Sequence, residues 1–337
     1  MPAGIDVATL WAFIIAFAVF VYVVMDGFDL GLGILFPLFP EKSDRDVIMN
    51  SVAPVWDGNE TWLVLGGGGL MAAFPLAYAV LMPALYTPMV AMLIGLIFRG
   101  VAFEFRWRTT QSGRNRWDLA FAGGSLLAAL AQGIALGAIL QGVHVEGRHY
   151  AGGWWDWLTP FSVLTGVALV VGYALLGSTW LVMKTEGELR DKAYRLSWFL
   201  LFAMLAAIGA VSVATPFLHV QYTERWFSWP NIILTAPVPI AVAAVTALLL
   251  RSLANRRDYQ PFFLSLILFA LSYAGLGISM YPYIVPQSIT IWQAASPANS
   301  QLFMLVGVAV LVPLILGYTS WAYWVFRGKV RPGSGYH

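Results

Sequence analysis

The chain has 337 residues, 59% hydrophobic and only 11% charged, where an ordinary soluble domain carries roughly 25% charged residues, so a water-soluble globule of this size is excluded. A net charge of +2 leaves no field of one sign that would call for nucleic acid or another acidic partner. With no cysteine, disulfides, thiolate metal sites, iron–sulfur clusters and covalent haem attachment are excluded too.

The first apolar run, residues 8–25, follows a start without a Lys/Arg-rich region and with Asp6 in its place, so it reads as a permanent helix rather than a cleaved signal. About 20 apolar residues cross the hydrocarbon core as a helix. Further runs qualify at 55–77, 80–98, 119–140, 161–183, 196–218, 232–250, 262–281 and 302–326. The expected fold is an all-α polytopic membrane protein of about nine transmembrane helices. The second run contains Asp57 and Glu60, which makes it the weakest by hydropathy.

The basic residues give an orientation. With the N-terminus outside, 17 of the 19 lysines and arginines fall in inner loops and the C-terminal tail, and only Arg148 and Arg225 stay outside. The C-terminus is then cytoplasmic, and one helix more or fewer scrambles the pattern. The stretches 142–160, 186–195 and 219–231 read as short loops, none long enough for a soluble domain, so residues 1–337 form one transmembrane domain. Two four-helix bundles plus one helix is the arrangement an internal duplication would give.

Acidic residues inside a membrane protein are functional candidates by default, because burying a carboxylate in lipid costs a few kcal/mol or more. Asp26 and Asp29 are expected to close the first helix and Asp57 and Glu60 to open the second, all near the cytoplasmic face. Carboxyls at that depth can take up protons from the cytoplasm. The plainer reading is capping: Asp57 and Glu60 suit a helix N-terminus, whereas Asp26 and Asp29 at a C-terminus need a cation or a turn. Arg99, with Glu104 beyond it, leaves the third helix on the same side, and Arg99 is the candidate counter-charge for Asp29 or Asp57, or else a helix-end arginine reaching for water.

The four histidines, His144, His149, His219 and His337, fall in loops, at a helix edge or at the tail, so no haem ligand is expected from this chain, and no metal site. Gly66, Gly67, Gly68 and Gly69 read as a helix-packing face rather than a nucleotide loop.

The strings VVMDGFDLGLGIL, MNSVAPVWDGNETWLVLGGG and LIFRGVAFEFR closely resemble subunit II of cytochrome bd-type ubiquinol oxidases, and GISMYPYIVPQSITIWQAASP and LVPLILGYTSWAYWVFRGKV extend the likeness nearly end to end. The compact outer loops resemble the subgroup called cyanide-insensitive oxidases. The resemblance implies a terminal oxidase of the bacterial inner membrane in which haem-bearing subunit I holds haems b and d and the quinol site. Subunit II holds no haem, though a structural quinone or lipid sits in it in some members. A small single-helix subunit is a further partner. Quinol and dioxygen are the substrates of the complex, which draws its protons from the cytoplasm.

For the W-D-G-N motif, here Trp56, Asp57, Gly58 and Asn59, the resemblance implies a proton route past Asp57 and a dioxygen route beginning near Trp62. Two departures stand out: Glu60 replaces an amide, and Gln293 replaces the acid of a W-D-A motif. Two rival readings remain, a proton-coupled secondary transporter, which usually keeps its acids near the midplane, and a purely structural partner.

Overall fold

The computed structural model describes residues 6–331 and 333. Helix α1 (Val7–Leu35) is capped by Asp6, whose carboxylate accepts hydrogen bonds from the Thr9 amide and hydroxyl at 2.8 and 2.9 Å. At 29 residues it is about 43 Å long, against a hydrocarbon core of ~30 Å. Asp26 and Asp29 therefore do not close the first helix, as the apolar run suggested, but lie well inside it. The helix persists through this polar stretch because Gly27, Gly31 and Gly33 let neighbouring helices bury it.

The chain then reverses through α2 (Lys42–Val52), which tucks Val47, Ile48, Met49 and Val52 under the main core, and returns as α3 (Trp56–Ala73). Phe74 leaves helical geometry ahead of Pro75, and Leu85 does so again, producing α4 (Pro75–Ala84) and α5 (Tyr86–Phe105). The expected spans 55–77 and 80–98 are thus re-divided at these breaks. Next come α6 (Gln111–Leu140), the hairpin of β1 (Val145–Glu146) and β2 (His149–Tyr150), and α7 (Pro160–Lys184), which opens on a Thr159–Ser162 capping box.

Gly187, at φ +64, makes the tight reversal into α8 (Gly187–Ala214), so most of the expected loop 186–195 is helix. After α9 (Val220–Phe227) and α10 (Asn231–Thr235), Pro237 starts α11 (Pro237–Ala254), dividing the expected span 232–250 into two helices. The chain closes with α12 (Gln260–Met280), the hairpin of β3 (Tyr283–Val285) and β4 (Ile289–Thr290), α13 (Ile291–Ala294) and α14 (Ala298–Val325).

Among the described residues, eight helical segments are long and apolar enough to cross a membrane. Helix α3 is less apolar but lies alongside them: it runs past Asn59, bonded to Asp29, to Ala73, whose carbonyl accepts the Ser296 amide at 2.8 Å beside the N-terminal half of α1. Its 18 residues cover about 27 Å. Helix α4 packs instead on β2, β3 and α13.

The helices α1, α3, α5 and α6 pack together, and α7, α8, α11 and α12 follow; α7 against both α6 and α1 joins the groups, and α14 lies on α1 and α3. That joint is a backbone contact. A Cβ at Gly31 would sit 1.8 Å from the Tyr173 carbonyl oxygen, and Gly177 faces Gly31 across it. The charged loops gather at one end, where Arg45 and Arg106 pair with Asp118 and Lys329 pairs with Asp258.

Candidate functional site

The site is built where α1, α3 and α5 converge. Arg99 on α5 is fully buried and donates from Nη1 to Asp26 Oδ1 at 2.5 Å and from Nη2 to Glu60 Oε2 at 2.6 Å. Trp56 lies against the guanidinium, 5.8 Å from Cζ to ring centroid, and stacks on Phe103 at 4.9 Å. Asp29 accepts instead from Asn59 Nδ2 at 2.8 Å, and Asn59 Oδ1 in turn accepts the Tyr323 hydroxyl of α14 at 2.8 Å.

Arg99 is the counter-charge its position suggested, but its partners are Asp26 and Glu60, not Asp29 or Asp57. Three residues fall about 60° short of a full helical turn. Asp26 and Asp29 therefore address different neighbours, α5 for one and α3 for the other. The same offset turns Asp57 outward, exposed, while Glu60 reaches Arg99 with its side chain 30% accessible. Glu104 stands apart, exposed and 3.7 Å from Arg108.

Three carboxyl groups and one guanidinium share this interior. Asp26 Oδ2, Asp29 Oδ1 and Arg99 Nε are buried without a hydrogen-bond partner, so the site retains open capacity to bind protons or water. Trp62, one turn above Asn59 on α3, is 1% exposed and packs with Ala18, Val21 and Tyr22, with Phe17 edge-on at 6.0 Å. Its indole Nε1 has no partner.

The glycine run divides by face. Gly66 and Gly69 abut Val19 and Ile15 of α1, Gly67 and Gly68 meet open space, and so does Gly58. Residues not singled out from the sequence complete the surroundings. Gln132 Nε2 donates to the Tyr22 hydroxyl at 2.7 Å and Gln132 Oε1 accepts from Tyr173 at 2.8 Å, tying α6 to α1 and α7 one turn from Asp26. A lone amide in the run 119–140 was the available signal. Buried Arg106 joins Asp46 and Asp118, each at 2.6 Å, beneath the site.

His144 and His149 lie at the β1–β2 hairpin and His219 before α9; His337 lies outside the described residues. The buried methionines Met49, Met92 and Met204 are packed into apolar core. The described spans contain no histidine. Gln293 closes a capping box with Thr290 at α13, a duty an acid there would also perform.

The fold and the site together define a multi-pass helical membrane protein with an ionisable cluster buried near the charged end of its spans. The chain belongs to the cytochrome bd terminal oxidase subunit II family, whose sequence model matches residues 7–326. It is 31% identical to cytochrome bd-I ubiquinol oxidase subunit 2 of Escherichia coli, over 95% of this chain and 94% of that one. It is 26% identical to cytochrome bd ubiquinol oxidase subunit 2 of Bacillus subtilis, over 95% and 96%. The bd oxidase from Geobacillus thermodenitrificans shares the fold, with a TM-score of 0.73 at 18% identity, covering 95% of this chain and 98% of that one.

Proposed function

We propose that this chain is the haem-free subunit II of a quinol:dioxygen oxidoreductase in the bacterial inner membrane, and that it conducts protons from the cytoplasm toward the haem-bearing subunit I. Haems b and d in that partner supply electron transfer from quinol to dioxygen. The observation that carries the reading is a graded set of carboxyl groups. Asp57 is exposed, Glu60 is 30% accessible, and Asp26 is buried at 1%, with Arg99 joining the last two. Asp29 continues the series through Asn59.

In this reading the N-terminus faces outward, as the basic loops favour, and Asp57 collects protons from the cytoplasmic side. Glu60 and Asp26 hold them in turn, and Arg99 keeps the two carboxyl groups facing each other while balancing charge as protons move. Trp62 lines an apolar seam along α1 that suits a dioxygen path. Structural lipid or quinone and a small single-helix subunit complete the assembly. The transporter reading loses ground because the acids sit toward one end of the spans rather than at midplane breaks.

The test is the Asp57→Asn and Glu60→Gln complexes, assayed for quinol-driven oxygen uptake per haem and for haem content. A proton route predicts turnover lowered about tenfold or more with haem content unchanged. Unchanged turnover in both variants would leave the purely structural partner as the answer.

A further inference from the structure

Helices α8 and α11 touch sparingly compared with the contacts each makes elsewhere, and at the charged end they leave a cleft of about 400 Å³. Tyr194, Arg195 and Trp198 of α8 line one wall, and Leu253 and Arg256 line the other. Arg256 holds φ +50, the left-handed cap conformation that usually falls to glycine or asparagine, and its guanidinium lies over the Tyr194 ring, 4.9 Å from the centroid. Asp191 also lines the cleft and is ion-paired with Arg256, so the lining holds two arginines against one carboxylate. Arg251 and Arg257, both exposed, flank it.

Toward the membrane, the same face of α8 turns aromatic. Trp198 stacks with Phe202 at 6.2 Å, one helical turn on, and Phe202 is 56% exposed. A cationic pocket at a helix end beside an aromatic strip along α8 matches a phospholipid, headgroup first and acyl chain beyond. Basic pockets between transmembrane helices on the positively charged side bind anionic headgroups, and tryptophan sits at that interface. A soluble anion would use the arginines but not the aromatic strip.

We propose that the cleft between α8 and α11 binds one anionic phospholipid, its phosphodiester between Arg195 and Arg256 and an acyl chain along Trp198 and Phe202. The proposal goes beyond the proton route and does not depend on it, since none of these residues belongs to the Arg99 cluster.

The experiment uses the purified, delipidated oxidase complex, titrated with phosphatidylglycerol and, separately, phosphatidylcholine, and read by native mass spectrometry. Phosphatidylglycerol should be retained in preference to phosphatidylcholine, and excess glycerol 3-phosphate should not displace it. Arg195→Gln/Arg256→Gln should weaken retention about tenfold, while Arg251→Gln/Arg257→Gln, with the same loss of charge outside the cleft, should weaken it no more than about threefold. Asp191→Asn, which frees Arg256, should tighten binding about threefold, and it serves as the test if the double variant does not assemble. Equal retention of the two lipids, equal losses in the two double variants, displacement by glycerol 3-phosphate, or no gain with Asp191→Asn would each overturn the assignment.

Discussion

Arg99 holds the buried site together, because it is the only cation in direct contact with Asp26 and Glu60 among the described residues. Its removal leaves two carboxylates facing each other without a counter-charge. Arg99→Met is therefore expected to destabilise the assembled complex by about 3–5 kcal/mol, visible as lost yield of haem-loaded complex and a lower Tm. Normal yield and Tm in that variant would show that the carboxyls find another partner. Asn59→Ala is milder: it strands Asp29 and the Tyr323 hydroxyl at a cost of about 1–3 kcal/mol. The acids and the arginine were legible in the sequence, since charges are rare within apolar runs. Their pairing was not, because Asp26 and Arg99 lie 73 residues apart and Glu60 and Arg99 39 apart, and only packing brings them together.

Among the elements, α1 makes the closest glycine-to-backbone approach, at Gly31. Gly31 meets the Tyr173 carbonyl so closely that Gly31→Ala must push α1 and α7 apart, an overpacking penalty of about 1–3 kcal/mol or more. Gly67→Ala, on the open face of α3, should be neutral or slightly stabilising, since alanine favours helix over glycine. Thermal melting of the two complexes distinguishes them, and equal Tm values would contradict the α1–α7 crossing. By composition the G-G-G-G run reads as the packing face, yet the tightest crossing uses glycines dispersed through the D-G-F-D-L-G motif and α7. Composition marks small residues; it does not say which face another backbone will approach.

For the whole molecule, the charged end is a set of clasps between distant segments. Asp258, in the turn between α11 and α12, accepts Lys329 of the tail at 2.6 Å and Arg190 of α8 at 3.3 Å. Burial alone would raise its pKa, but the Lys329 hydrogen bond and the charges of Lys329 and Arg190 outweigh it and hold the carboxyl below its ordinary value of 3.8. A depressed carboxyl stabilises fully above its unfolded value and loses that contribution as pH falls through its folded one. The tail should therefore stay clasped at pH 7 and pH 5 and loosen only below about pH 3.8. Asp258→Asn should loosen it at neutral pH, read as faster trypsin cleavage after Arg327 and Lys329; unchanged cleavage would place the clasp elsewhere, for instance in the Lys184 bonds to the Phe326 and Gly328 carbonyls.

The sequence by itself determined the helical membrane class, an approximate count of spans and the end at which charge collects, because hydropathy and charge placement act along the chain and need no partner. It also singled out the D-G-F-D and W-D-G-N segments. Tertiary structure decided the rest. Helix α1 runs on past Asp26 because glycines let α7 and α6 cover it, and prolines at 75 and 237 divide runs that hydropathy reads as continuous. Which carboxyl faces Arg99 follows from a 60° rotation per three residues and from which helix lies opposite. A one-dimensional pattern marks which end of a span a charge lies toward, whereas the length of each helix and the azimuth around it are set only when the neighbouring helix arrives.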